Sequence, residues 1–320
     1  MRIFMPVLAG LCLCLFFFGC GGGDEPAVEK KGRIGMTCMD LGNPFFQLIA
    51  NEMEKRASEH GYDLVALSGD NKPGLQNRQI NDFVAQGYDA IFLNPVDSVS
   101  AGQGVIKAHE AGIPVFTFDI QISDEQAKKL VTSHIGSDNY QGGRLAGKSM
   151  MEALGNRGKV AVISLPEVSS CLLRVNGFKD ELKEAGSPLE IVTELSGKGR
   201  RDEGFKVATD ILQAHPDISG IFAINDPSGL GAFSAVQKAG KTEQITVVAF
   251  DASPAGKQGV FEKKLYDTPQ QFPKKMAHGT VDAFVKYLDG EEVPAATFIP
   301  CAHYRYDDSV TDESRINQTW

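Results

Sequence analysis

The chain is poor in the residues that build metal centres and disulfide frameworks. Its 320 residues hold six cysteines, with no Cys-x-x-Cys pair and no His-x-His cluster. That excludes a disulfide scaffold and leaves no zinc signature, so no metal or cofactor is expected. The six histidines (60, 109, 134, 215, 278, 303) are scattered, and neither Gly-x-Ser-x-Gly nor His-Glu-x-x-His occurs. Those absences remove the nucleophile-elbow hydrolases and the zincins. Basic charge is also in deficit, 32 Lys and Arg against 41 Asp and Glu for a formal charge of -9. That is the wrong sign for a protein that neutralises phosphates, so nucleic acid is not an expected partner. What remains is an ordinary globular balance, 42% hydrophobic and 23% charged, in a chain long enough for about two domains.

The first twenty residues, MRIFMPVLAGLCLCLFFFGC, carry one Arg near the start, then an uncharged apolar run, then Gly19-Cys20. The run is shorter than the roughly 20 apolar residues of a spanning helix, and it follows the plan of a signal peptide. A small residue directly before Cys20 resembles the lipobox of bacterial lipoproteins, although Phe17 stands where a lipobox usually has Leu. Cys20 is therefore the expected lipidation site and the expected first residue of the mature chain. The following GGGDEPAVEKK is rich in Gly and charge and has no apolar periodicity, as a flexible tether would. Loss of the signal leaves Cys38, Cys171 and Cys301 with Cys20, and buried free thiols are the expected state of the three.

From residue 33 onward, β-branched runs alternate with amphipathic stretches, the pattern of parallel βαβ units. Strands are expected at Ile34–Met39, Leu64–Ser68, Ala90–Asn94, Val115–Asp119 and Val131–Ile135. A second set follows at Val160–Ser164, Ile191–Leu195, Gly220–Asn225, Thr246–Asp251 and near Tyr266. The helices include Phe45–His60, where Phe46, Ile49, Met53 and Ala57 mark one apolar face, and then Leu173–Ala185, Gly204–His215, Ser228–Ala239 and Pro273–Leu288. Five strands followed by five predict a bilobal α/β protein of two Rossmann-like lobes.

The polar ends of four strands carry more information than the strands. Asn94 closes AIFLN, Asp119 closes VFTFD, Asn225 closes GIFAIN and Asp251 closes VVAFD. In open parallel sheets the ligand crevice lies outside the carboxyl ends of the strands. Asn and Asp also begin many ordinary loops, but matched placement in both halves predicts four side chains converging on one cleft.

These residues lie within longer motifs: Asn43-Pro44-Phe45-Phe46, FLNPVDS at 92–98, FTFD at 116–119, SHIGSDNYQGG at 133–143, Arg174-Val-Asn-Gly-Phe178, FAINDPSGLGA at 222–232 and VVAFDASPAG at 247–256. Over about residues 33–300 the chain resembles the type I periplasmic sugar-binding proteins, the ribose-binding group in particular. The resemblance implies a periplasmic binding protein type I fold with a three-segment hinge, crossing near Ser137-Asp138, Gln271-Phe272 and Pro300, and closing on a ligand. It divides the chain into a signal (1–20), a tether (21–32), an N-terminal lobe (33–137 plus 272–300) and a C-terminal lobe (138–271 plus 301–320). It also implies ligand contacts: Asn43, Phe45, Phe46, Asn94 and Asp119 from the first lobe, and Arg174, Asn225, Asp251 and Gln271 from the second lobe or the hinge.

The chemistry of that set suits a sugar. A pyranose has an apolar C–H face and a rim of hydroxyls, which call for an aromatic plate and a fence of planar donors and acceptors. Phe45 or Phe46 can be the plate, with Phe46 also fitting the buried stripe of its helix. Ionised Asp119 and Asp251 only accept, Arg174 only donates, and the amides of Asn94, Asn225 and Gln271 do both. Two positions depart from the ribose-binding pattern: Ile120 where it has Arg, and Gly199 where it has a covering Phe. A ligand larger than ribose, or less hydroxylated near Ile120, follows as an expectation, with Lys198, Arg200 or Arg201 reaching toward the space beside Gly199.

The function implied is solute capture for an ABC importer, with a sugar ligand, a transmembrane permease and its ATPase as partners, a membrane anchor at Cys20, and a monomeric state. A receptor domain that reports a ligand to a chemoreceptor or kinase uses the same closed-lobe signal. Paired carboxylates would also suit a glycosidase, but the polar groups are accounted for as contacts, and no catalysis is expected. A repressor of the same fold would need a helix-turn-helix ahead of residue 33, where signal and tether stand. Tyr304–Trp320, which holds the single Trp, is expected to be largely irregular and is assigned no role.

Overall fold

The computed structural model describes residues 30–317, 319 and 320. The expected signal, Cys20 and the tether as far as residue 29 lie outside the described residues. The first lobe is built on β1 (Gly32–Cys38), β2 (Tyr62–Ser68), β3 (Ala90–Leu93), β4 (Val115–Phe118), β5 (Ser133–Ser137) and β10 (Ala296–Ile299). They form one parallel sheet in the order β10-β5-β4-β3-β1-β2. The second lobe holds β6 (Lys159–Ser164), β7 (Glu190–Ser196), β8 (Gly220–Ala223) and β9 (Thr246–Val248), parallel in the order β7-β6-β8-β9. β3 and β4 are wholly apolar or Thr and buried at every position, as strands are when helices cover both faces of a sheet.

Helices α1 (Pro44–Glu59), α2 (Pro73–Ala85), α3 (Gly102–Glu110) and α4 (Glu125–Lys128) flank the first sheet. The second sheet is flanked by α5 (Asn139–Ala153), α6 (Ser169–Glu184), α7 (Arg201–Ala214), α8 (Asp226–Lys238) and α9 (Pro254–Phe261). The chain passes from β5 into α5 at 137–139, and α5 packs on α6. It returns to the first sheet as α10 (Pro273–Leu288), which lies on α1, β4 and β5. After β10 it crosses again, so that α11 (Tyr306–Val310) and α12 (Glu313–Ile316) rest on α9. Each sheet buries an apolar layer on either face. Met36, Phe92, Phe116 and Phe284 meet on one side of the first and Ile91, Leu93, Phe83 and Val105 on the other.

Three expectations shift. The strands divide six and four rather than five and five, because Ala296–Ile299 pairs beside β5 while the stretch near Tyr266 makes only isolated bridges, from Asp267 to Val248 and to Arg305. β10 is a short, partly exposed edge flanked by Pro294 and Pro300, so it has little alternating signal. β5 starts at Ser133 rather than Val131, because Val131 is spent in the turn after α4, its N–H donating to Lys128 O at 3.4 Å. The tail is not simply irregular, since it contains α11 and α12.

Candidate functional site

Each expected strand-end residue sits just beyond its strand, and at the two acids the backbone turns sharply. Asp119 follows β4 with φ 59°, and Asp251 lies past β9 with φ 114°, both in the left-handed region that a non-glycine residue seldom adopts. The turn aims both carboxylates across the sheet ends. Asn43 caps α1, its side chain accepting from Phe45 N at 3.0 Å, and Asn225 caps α8, accepting from Ser228 N at 3.0 Å.

Arg174, on α6, is the centre of the arrangement. Its Nε donates to Asn139 Oδ1 at 2.8 Å, and its Nη1 donates to Ile224 O at 2.7 Å and to Asp251 Oδ1 at 3.1 Å. The guanidinium also lies over the Phe250 ring, 4.0 Å from the centroid. Gln271, in the second crossing, donates Nε2 to the same Asp251 oxygen at 2.7 Å. From the first lobe, Asn94 Nδ2 donates to Asp119 Oδ2 at 3.1 Å and to Phe118 O at 3.3 Å, while its Oδ1 accepts from Met39 N at 3.1 Å. Asn94 thus gives one amide hydrogen to Asp119 and the other to the Phe118 carbonyl. Asn225 similarly spends one hydrogen on Gly199 O, at 2.9 Å.

Two acceptors of these site residues are buried without a partner among the described residues, Asp119 Oδ1 and Gln271 Oε1. A buried acceptor left alone costs about 1–3 kcal/mol, so these two atoms suit ligand hydroxyls. Burial pushes the Asp119 carboxyl up to about 7, with Arg174 pulling it down and Asp251 pushing it further up. Asp251 is raised as well, first by burial, against the pull of Arg174 and Gln271. Behind it Asp226, fully buried, accepts from Ser253 N and Oγ, each at 2.7 Å, and from Thr268 Oγ1 at 2.6 Å. Burial and the neighbouring Asp251 raise its carboxyl too.

The lobes touch across this site. Ser169 N donates to Ser98 Oγ at 3.1 Å and Ser169 Oγ to Gln121 O at 3.0 Å. Ile120, 2% exposed, packs with Val168 and Cys171 of the second lobe, and Met39 joins them. One wall of the site is therefore apolar. Phe45 and Phe46 are each 6% exposed and belong to the first-lobe core, their rings edge-on at 5.2 Å.

The basic loop behaves differently from expectation. Lys198 Nζ pairs with Glu203 at 3.7 Å, Arg200 Nη2 with Asp202 at 2.6 Å, and Arg201 is exposed. Glu203 and Asp202 hold Lys198 and Arg200 at the surface, where Arg201 is exposed too, so the three do not reach beside Gly199. A Cβ at Gly199 would stand 3.3 Å from Asn225 Nδ2 and 3.4 Å from Leu165, which occupy that side. The sequence reading missed Asn139, Phe250 and Asp226. Asn139 lies inside the SHIGSDNYQGG motif, and Phe250 directly precedes Asp251, but a stacking or hydrogen bond to Arg174 has no local signal. Among the described residues no group of three or more His, Cys, Asp or Glu could hold a metal ion.

A family model described as a periplasmic binding protein domain matches residues 34–292. The ribose import binding protein RbsB of Escherichia coli is 34% identical over 266 residues, covering 83% of this chain and 88% of that protein. Among solved structures, an ABC transporter periplasmic solute binding protein from Actinobacillus succinogenes with bound D-allose aligns at TM-score 0.80 and 28% identity. That alignment covers 87% of this chain and 99% of the other. A solute binding protein from Bacillus halodurans with bound myo-inositol aligns at TM-score 0.80 and 27% identity, over 90% and 97% of the two chains.

Proposed function

The chain belongs to the periplasmic binding protein domain family, and on that premise we propose that it is the extracytoplasmic sugar-binding lipoprotein of an ABC importer, closing its lobes on a monosaccharide or polyol. The observation that carries this reading is the pair of buried acceptors without a partner among the described residues, Asp119 Oδ1 and Gln271 Oε1, both beside the Arg174–Asp251 ion pair. A sugar hydroxyl donates to each, and the hydroxyls next to Arg174 and Asp251 gain charge-assisted bonds, about twice as strong as neutral ones. Asn43, Asn94, Asn225 and the rings of Phe45 and Phe46 complete the set. Relatives that import ribose and that hold D-allose or myo-inositol support the ligand class. The role is capture and delivery to a transmembrane permease powered by an ATPase, not catalysis.

Ile120 and Gly199 turn the ligand away from ribose. An apolar Ile120 offers no donor to a hydroxyl, so the ligand is poorer in hydroxyls on that side. Cys20 carries the lipid that tethers the monomer through residues 21–32. A thermal-shift panel of ribose, allose, myo-inositol and deoxysugars, followed by titration calorimetry, tests the reading. A ligand at 100-fold excess over Kd stabilises by about 3 kcal/mol. Tight ribose binding would overturn the argument from Ile120 and Gly199, and silence across sugars and polyols would overturn sugar binding itself. Cys20→Ser should move the protein from the membrane to the soluble fraction, and a variant that stays in the membrane refutes the anchor.

A further inference from the structure

The segment after the third crossing is fastened to the second lobe. Lys257 Nζ, almost fully buried, reaches Ser314 Oγ and lies 3.3 Å from Asp312, and Tyr304 OH donates to Asp312 at 2.7 Å. Arg315 stacks over Phe261, 3.8 Å from the ring centroid, and donates Nε to Ser309 O at 2.6 Å. Thr319 N then donates to Ser314 O at 2.7 Å, which turns the chain back toward the crossing. Trp320 completes the turn and lands on the other lobe. Its ring lies 5.2 Å from that of Phe45 at 65°, and it packs against the first-lobe core. Its indole N–H is buried without an acceptor among the described residues.

We propose that residues 305–317, with Thr319 and Trp320, are an interlobe strap, anchored on α9, whose Trp320 docks on Phe45 when the lobes close and so holds both the closed state and the orientation of the Phe45 ring. The geometry gives the reason. Phe45 rides on the first lobe at the start of α1, and the anchors of Trp320 ride on α9 and Tyr304 of the second. A hinge rotation that parts Ser98 from Ser169 separates these two frames, so the aromatic contact is kept only in the closed arrangement. Trp320 is thus a positioning residue acting through Phe45. Edge-on aromatic pairs bias an equilibrium by about 2- to 10-fold, enough to shift lobe closure without locking it. A strap that added far more would prevent opening, and a ligand could neither enter nor leave.

The single Trp makes the test direct, and it needs no ligand, so its failure is separate from a failure of sugar binding. Small-angle X-ray scattering is measured on the full mature chain, on Trp320→Ala and on Trp320→Phe, and acrylamide quenching on the wild type, where Trp320 is the one indole. Expected are a Trp320 shielded from quencher in the wild type, a larger radius of gyration in Trp320→Ala, and a return toward the wild-type value in Trp320→Phe. An unchanged radius in Trp320→Ala overturns the strap. Should Trp320→Ala fail to fold, the wild type and Phe45→Ala decide. A wild-type Trp320 quenched as freely as N-acetyltryptophanamide overturns the proposal, whereas protection that is lost in Phe45→Ala supports it, and protection that survives there overturns it.

Discussion

Arg174 Nη1 and Asp251 Oδ1 stand 3.1 Å apart with side-chain exposures of only 5% and 14%, and the same guanidinium also draws down the carboxyl of Asp119 on the opposite lobe. One cation therefore serves two carboxylates from two lobes. Its Nε and Nη1 are pinned by Asn139 and Ile224 O, so it cannot follow either acid outward. That makes the site preorganised for a ligand and costly to dismantle.

Arg174→Ala leaves Asp251 buried without its cation, and breaking a buried pair from one side costs about 3–5 kcal/mol. Urea unfolding should show a loss of that order. Arg174→Lys keeps the charge but not the fork that holds Asn139, Ile224 and Asp251 together, so its loss should be intermediate. Equal midpoints for Lys and Arg would mean that charge alone matters there.

The raised carboxyl of Asp119 links stability to pH. Its native value of about 7 lies above the ordinary 3.8, so the native chain keeps a proton that the unfolded chain releases between the two. This stabilisation is fully present below about 3.8 and is lost as pH rises through 7. The slope is at most about 1.4 kcal/mol per pH unit for one proton. Comparing wild type with Asp119→Asn cancels most of the other carboxylates. The wild-type advantage should shrink steadily from pH 4 to pH 7, and a flat difference in calorimetric melting would refute the linkage.

Gly143 on α5 faces the backbone of α6. A Cβ there would sit 2.1 Å from Arg174 O, so Gly143→Ala must push α6, and Arg174 with it, away from the site. Overpacking of this kind costs about 1–3 kcal/mol. The variant should lose stability and ligand affinity together, whereas Gly155→Ala, with open space around it, should spare affinity. Calorimetry on the two variants tests the difference.

Cys38, Cys171 and Cys301 are buried free thiols, and burial pushes Cys171 up to about 11 and the other two to about 12. Reaction with a thiol reagent at pH 7 should be slow for all three, because the thiolate is the reactive form. Cys171 lies in the interlobe contact with Ile120, while Cys38 is in the first-lobe core. Lobe opening should therefore label Cys171 first, and a saturating ligand should suppress that labelling selectively. Mass-spectrometric mapping that finds Cys38 leading would contradict the assignment.

The strand and helix pattern was legible because it is local. The stripe Phe46, Ile49, Met53, Ala57 and the fully buried β3 and β4 follow from periods of 3.6 residues and from continuous apolar runs. Asp119 and Asp251 stood out by position after strands and Arg174 within a longer motif, while Gln271 was implied by the family resemblance alone, and the structure brings the four together around one charge. Asn94 was legible as a residue but not in its task, since its amide is taken up by Asp119, Phe118 and Met39. The reach of the basic loop was misread, because Glu203 and Asp202 compete locally for Lys198 and Arg200.

By itself the sequence determined the α/β class, two sets of strands and the acids at their ends, all of which depend on neighbours within about a turn or a strand. Only the tertiary structure decided that β10 joins the first sheet, that Phe250 and Asn139 hold Arg174, and that Trp320 crosses to Phe45. Those contacts join residues far apart in the chain, where their energies come from burial and charge pairing that exist only once the lobes are packed.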